Sequence, residues 1–173
     1  MSDQGGTANN GWEARVEALW ASLDDFDGDA FISQMKALTA EKPADDPIAL
    51  FELASAYDSV GYEEEAEPNY RRALAAGLSG LRRRRAVIQL ASTLRNLGKA
   101  GESIALLTAE QDAESDELDD AVKAFLALAL ADAGEAKRGL SLALSALARH
   151  VPRYNRSLAS YARELVDGAS SPF

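Results

Sequence analysis

Four consecutive arginines, Arg82 to Arg85, form the densest run of chemistry-bearing residues in a chain whose formal net charge is −10. A guanidinium presents a planar fork of N–H donors that grips a carboxylate or phosphate with two bonds, so one or two of these side chains on a binding surface could hold an anionic group. The alternative use is structural. Successive residues point all round a helix, where some are solvated and others pair with neighbouring acids. Arg85, Gln89, Ser92, Arg95 and Asn96 follow at helical spacings and so share one polar face.

Other chemistries lack their residue sets. His150 is the single histidine, with no second ligand or triad partner, and reads as a charge suited to a helix C-terminus rather than as a catalyst. Glu63, Glu64 and Glu65 point in different directions on a helix, which fits a solvated first turn better than a metal site. Gly98-Lys99-Ala100-Gly101 lacks the preceding strand and the Gly-Lys-Ser/Thr ending of a phosphate loop. There is no cysteine, which removes disulfides, thiol catalysis and thiolate metal sites. With no nucleophile beside a base, no metal cluster and no cofactor fingerprint, the expectation is no enzyme, no catalytic residue, no metal and no cofactor.

Charge is segregated along the chain. Residues 1–70 hold 16 acids and 3 bases, residues 71–100 hold 8 bases and no acid, and residues 101–120 hold 8 acids and no base. Such acidity argues against a general nucleic-acid binder, leaving an anion or nucleic-acid sensor at Arg82–Arg85 as the weaker idea. The longest apolar stretch, Ala124 to Gly134, is too short to span a bilayer. The opening MSDQGGTANN lacks the basic stretch and apolar run of a signal peptide, so the expected location is cytoplasmic, with no membrane partner.

The elements that must position these residues announce themselves by a period. Gly28, Gly61, Gly98 and Gly134 are spaced by 33, 37 and 36 residues. Eight before each glycine stands a large apolar residue (Trp20, Leu53, Leu90, Leu126), and seven before stands Ala21, Ala54, Ala91 or Ala127. Five after stands a small residue: Ser33, Ala66, Ser103 or Gly139. Self-similarity at about 34 residues marks an array of helix pairs, and such arrays work as surfaces. Each glycine is expected to end the first helix of its pair, where a left-handed backbone is cheap only for Gly. The small residues let the paired helices approach, while Tyr57, Leu94 and Leu130, four before their glycines, fill the space between them. Asp24 breaks that pattern, marking the first unit as a degenerate cap. Nine helices are predicted, over about 12–23, 29–40, 47–60, 63–76, 81–97, 101–110, 118–133, 135–150 and 153–166. Residues 1–11 are expected to be disordered, 12–167 to form a single helical repeat domain, and 168–173 to be a flexible tail. Trp12 and Trp20 share a face of the first helix; Trp20 is expected in the core, and Trp12 either packs there or anchors an interface.

The pattern resembles the tetratricopeptide repeat family. The clearest unit is PIALFELASAYDSVGYEEEAEPNYRRALAAG, Pro47 to Gly77, where Leu50, Leu53, Ala54, Tyr57, Gly61, Ala66, Tyr70 and Ala73 stand where that repeat wants them. Leu107 and Ala143 replace the aromatic that Tyr70 supplies, and Glu110 replaces the later alanine. The resemblance covers roughly residues 12 to 151, and FELASAYDSVG, AAGL and RAVIQLASTLRNLG look like a prokaryotic subgroup of unassigned activity. It implies an all-α fold, a right-handed α–α superhelix of about four helix pairs plus a C-terminal capping helix. It also implies a concave groove lined by the first helix of each pair. The groove residues it places are Glu52, Ser55 and Asp58, flanked by Ile48, Phe51 and Ser59, then Arg85, Gln89, Ser92, Arg95 and Asn96. The last stripe, Ala121, Ala124, Phe125, Leu128 and Asp132, is largely apolar. A partner protein or peptide carrying an acidic group beside an apolar side chain would complement such a groove. Asp58 pairing with Arg95 to stitch repeats together is the alternative use of those two residues. The lysine–asparagine set of chaperone-binding members is missing. The second functional reading is a homodimer through repeat stacking or the C-terminal helices, and the terminal Ser170–Phe173 offers a carboxylate that a neighbouring molecule could accept.

Overall fold

The computed structural model describes the backbone of residues 4–113 and 115–168, with side chains from Gly11 onward. Among the described residues the regular structure is helical: α1 (Gln4–Ala21), a 3-10 turn (Leu23–Asp25), α2 (Gly28–Thr39), α3 (Pro47–Ser59), α4 (Glu63–Ala75), α5 (Gly80–Asn96), α6 (Ala100–Gln111), α7 (Asp119–Asp132), α8 (Ala136–Leu147) and α9 (Asn155–Asp167). Helix α1 begins at Gln4, well before the expected start at Trp12. The expected tail segment Ser170–Phe173 lies outside the described residues.

The helix ends follow local chemistry. Asp46 caps α3 by accepting from the Ile48 and Ala49 amides at 3.0 and 2.9 Å, with Pro47 in the first turn where its missing N–H costs nothing. At the far end Gly61 takes φ 83°, its amide donates to the Asp58 carbonyl and the Tyr62 amide closes on the Tyr57 carbonyl at 2.9 Å. The same closure recurs after α5, where Lys99 N–H reaches Leu94 O, and after α7, where Glu135 N–H reaches Leu130 O, both at 2.8 Å. The periodic glycines at 98 and 134 have φ 75° and 84°. A single left-handed residue therefore ends three first helices in the same way.

Gly28 does not belong to that series. It is the first residue of α2, and it is not among the glycines with positive φ. The chain leaves α1 through the 3-10 turn instead, so no left-handed residue is needed. Gly28 matters for space: a Cβ there would stand 3.2 Å from Val60 Cβ.

The chain divides into two compact units, residues 1–86 and 87–173. In the first, Trp12, Val16 and Leu19 of α1 pack with Phe31, Ile32 and Met35 of α2 and with Ala49 and Ala56 of α3. Phe31 and Met35 are fully buried, and each such side chain contributes roughly 1.5–3 kcal/mol of transfer free energy. Both tryptophans are packing residues: Trp12 is buried and its indole donates to Leu38 O at 2.8 Å, while half-buried Trp20 meets Phe31 in a tilted pair with ring centroids 5.1 Å apart. In the second unit Ile88 and Ala91 of α5, Leu107 of α6 and Val122, Leu126 and Leu130 of α7 form the core.

The small-residue register has a direct physical meaning. Ser103 of α6 is buried and its hydroxyl donates to the Ala91 carbonyl at 2.7 Å. Gly139 of α8 lies on the Ala127 carbonyl, where an added Cβ would come within 2.5 Å of the oxygen. Ala66 of α4 is fully buried, whereas Ser33 in the degenerate first pair is exposed. In α5/α6 and α7/α8 the periodic small residue of the second helix thus meets the backbone of the periodic alanine of the first.

Candidate functional site

In the first unit the polar stripe of α3 is drawn inward. Glu52 is buried, accepts a 2.8 Å bond from the Trp20 indole and lies 3.8 Å from the Arg82 guanidinium. Burial pushes its carboxyl up; the Trp20 bond and the Arg82 and Arg85 charges pull it back. Arg82 also pairs with Glu13 at 3.0 Å. Ser55 is buried and Asp58 half-buried, and the Tyr70 hydroxyl lies 3.4 Å from Ser55 Oγ and 3.4 Å from Asp58 Oδ2. Burial, then the Asp58 charge, drives the Tyr70 hydroxyl far above the ordinary phenol range, so it remains a donor.

The arginine island divides by position. Arg84 is buried, Arg82 is ion-paired, and Arg85 is exposed with its guanidinium 5.4 Å from the centroid of the Phe51 ring. A cation held over a ring face keeps its charge, so the Arg85 guanidinium remains chemically able to take a carboxylate.

In the second unit Gln89, Ser92 and Arg95 are half-buried and Asn96 is exposed. Arg95 pairs with Asp132 of α7 at 3.1 Å and donates to Asn96 Oδ1 at 3.1 Å. The two ion-pair partners are 37 residues apart, one more than the 36 that separate Gly98 from Gly134, so they stand one position out of register. Two polar atoms on this stripe are buried without a hydrogen-bond partner, Gln89 Oε1 and Arg95 Nε. Along α7, Phe125 packs against the core cluster while Leu128 is 47% exposed.

His150 lies beyond the end of α8, in a turn held by its amide on Leu147 O at 2.9 Å. That turn carries the ring to the start of α7, where Nε2 stands 2.9 Å from Asp120 Oδ2. Its partner is therefore a carboxylate of another helix rather than the carbonyl end of its own. Arg149 binds the other oxygen of Asp120, and Lys123 approaches it at 3.5 Å. Sequence reasoning missed this cluster; the adjacent Arg149 and His150 after α8 and the acidic first turn of α7, the other helix of that hairpin, were its signal.

Among the described residues no group of three or more His, Asp or Glu is placed to hold a metal, and no helix is long and apolar enough to cross a membrane. The sequence model of one family, described as tetratrico peptide repeat, matches residues 47–165. The match begins at Pro47, leaving out the first pair, and runs into α9, beyond the resemblance read from the sequence. No curated protein and no solved structure matches the chain.

Proposed function

The chain belongs to the tetratricopeptide repeat family, whose repeats generally mediate protein–protein interactions, and on that premise we propose that it is a non-catalytic scaffold that holds a peptide or protein segment on its polar stripes. Glu52, Ser55, Asp58 and Arg85 belong to the first unit, and Gln89, Ser92, Arg95 and Asn96 to the second. On the first unit Arg85 suits an acidic group of such a segment; on the second, the region of Phe125 and exposed Leu128 suits an apolar side chain.

The observation that carries this reading is the unmet pair on α5. Gln89 Oε1 is an acceptor and Arg95 Nε a donor, each buried without a partner. Leaving a buried polar atom unpaired costs about 1–3 kcal/mol, so a side-chain movement that brings these atoms to the N–H and C=O of a bound peptide main chain would recover that cost. The test is a paired capture from lysate of the source cells, with the wild type against Arg85→Glu and against Gln89→Leu, after circular dichroism confirms equal helicity. Proteins retained by the wild type and lost by both variants support the site. Identical catches would make the stripes structural.

Exposed side chains favour one second reading, self-association through α8 and α9. Leu140 and Leu147 are 50% exposed, Tyr161 64% and Tyr154 80%. A mass of two chains in solution that falls to one in Leu140→Lys with Tyr161→Lys supports it; a monomeric wild type at high concentration removes it.

A further inference from the structure

Away from both stripes, the first unit holds a pocket of about 360 Å³ between α2, the α2–α3 connection, α3 and α4. This is the lower end of the size range of small-ligand sites. Its wall carries three cations, Lys36 from α2, Lys42 from the connection and Arg72 from α4, and no carboxylate side chain. In this chain that is a marked departure from the average. Residues 1–70 contain 16 acids and only 3 bases, and two of those bases line this pocket. The third, Arg15, lies outside the pocket lining and grips both oxygens of Glu41 at 2.7 and 2.6 Å; Lys42 also acts on the Glu41 carboxylate through its charge.

The cations are held in place. Lys36 Nζ lies 5.3 Å from the centroid of the Tyr57 ring, and Lys42 Nζ lies 4.7 Å from that of Trp12. A ring face attracts an ammonium without cancelling its charge. Arg72 donates through Nη2 to the Ala44 carbonyl at 2.8 Å, which fastens the guanidinium to the connection by one of the several N–H donors of its fork. Leu50 and Leu53 of α3 supply an apolar wall beside the charges.

We propose that this pocket binds a small organic anion, a carboxylate or phosphate monoester on a short aliphatic stem. Its head sits among Lys36, Lys42 and Arg72, and its stem lies on Leu50 and Leu53. None of these residues belongs to either stripe, so the proposal stands or falls independently of partner capture.

The test is an NMR titration of the full chain, labelled at leucine methyls and arginine Nε, with hexanoate, inorganic phosphate and neutral 1-hexanol as probes. Hexanoate is expected to shift Leu50, Leu53 and Arg72 to saturation, inorganic phosphate to shift Arg72 without the methyls, and hexanol to give no saturable shift. Lys36→Gln with Lys42→Gln should weaken hexanoate roughly tenfold, with Arg72→Gln as the second variant should the first lose helicity. Undiminished affinity in a folded variant would overturn the proposal, as would shifts spread over exposed arginines such as Arg85. So would a hexapeptide bearing one glutamate that displaces hexanoate at equal carboxylate concentration, because the head would then belong to a protein partner.

Discussion

The hairpins α3/α4 and α7/α8 occupy equivalent places in the repeat and solve the packing problem in opposite ways. In α7/α8 the register residue is Gly139, so close to the Ala127 carbonyl that a Cβ would fall at 2.5 Å. In α3/α4 the same position is Ala66, which carries a real Cβ and is fully buried. That backbone approach must therefore be wider at this point. One turn further on, the wider hairpin holds Tyr70, buried and ring to ring with Phe51 at 6.3 Å between centroids, where α8 has Ala143. The middle hairpin has a filler of intermediate size, Leu107, but a register residue slightly larger than alanine, Ser103, whose hydroxyl bonds to the Ala91 carbonyl. Between the two outer hairpins register residue and filler shrink together, from Ala with Tyr to Gly with Ala. A tight backbone contact leaves no volume for a ring, and a ring forbids the tight contact. The wider hairpin gains something else. Tyr70 brings a hydroxyl to Ser55 and Asp58, so its interior is polar at one end.

The sharpest way to break this contrast is Tyr70→Ala. It empties a fully buried aromatic site, and the expected loss is about 4 kcal/mol in urea unfolding. Tyr70→Phe should lose less than about 1 kcal/mol, because the hydroxyl contacts are long. A loss in Tyr70→Phe as large as in Tyr70→Ala would mean that the polar end, rather than the ring, holds the helices apart. Next in size is Gly139→Ala. The methyl meets backbone, which cannot swing aside, so overpacking of about 2 kcal/mol should outweigh the gain in helix propensity. The mirror change, Ala66→Gly, should cost only about 1 kcal/mol, chiefly backbone entropy. A stabilising Gly139→Ala would show that α7/α8 has room and that the contrast between the two hairpins is accidental.

How much of this was legible depends on how many residues each feature needs. The ends of α3, α5 and α7 were readable because a left-handed turn demands glycine, a one-residue signal repeated by period. Gly28 carried the same letter in the same register but serves a close approach to Val60, and no spacing distinguishes the two uses. The start of α1 was hidden because Gly and Asn at residues 5, 6, 9 and 10 weigh against a helix on intrinsic propensity. Among the stripe residues the polar pattern showed which share a helix face but not their burial. Glu52 is inside because Trp20, 32 residues earlier, reaches it. The cationic pocket was invisible for the same reason: Lys36, Lys42 and Arg72 come from three elements and converge only through the fold of the α2–α3 connection.

The buried polar end of the first unit should also make its stability depend on pH. Glu52 has its carboxyl raised, chiefly by burial, so its contribution is fully present below the ordinary glutamate value and is lost as pH rises through the folded value. Glu41 has the opposite sign. The Arg15 hydrogen bond holds it low, so its contribution is present above the ordinary value and lost as pH falls through the folded one. Glu52→Gln removes only the first slope. Its stability relative to wild type should therefore improve as pH rises above the ordinary glutamate value and through the raised folded one. A difference flat with pH would mean that the Trp20 bond and the arginine charges cancel the burial cost.

The smallest expected effect lies in the second unit. Arg95 and Asp132 pair at 3.1 Å, but the Asp132 side chain is 48% exposed, so water screens the attraction. Asp132→Asn should lose less than about 1 kcal/mol, and less still in high salt. Arg95 keeps Asn96 Oδ1 as a partner after the change, while its buried Nε is unaffected. If the pair serves mainly to orient Arg95, partner capture should fall more than stability does. A variant that loses stability and binding in step would instead make the pair a stitch between α5 and α7. The second unit would then be held at its surface by charge, where α3/α4 of the first is held by its buried ring.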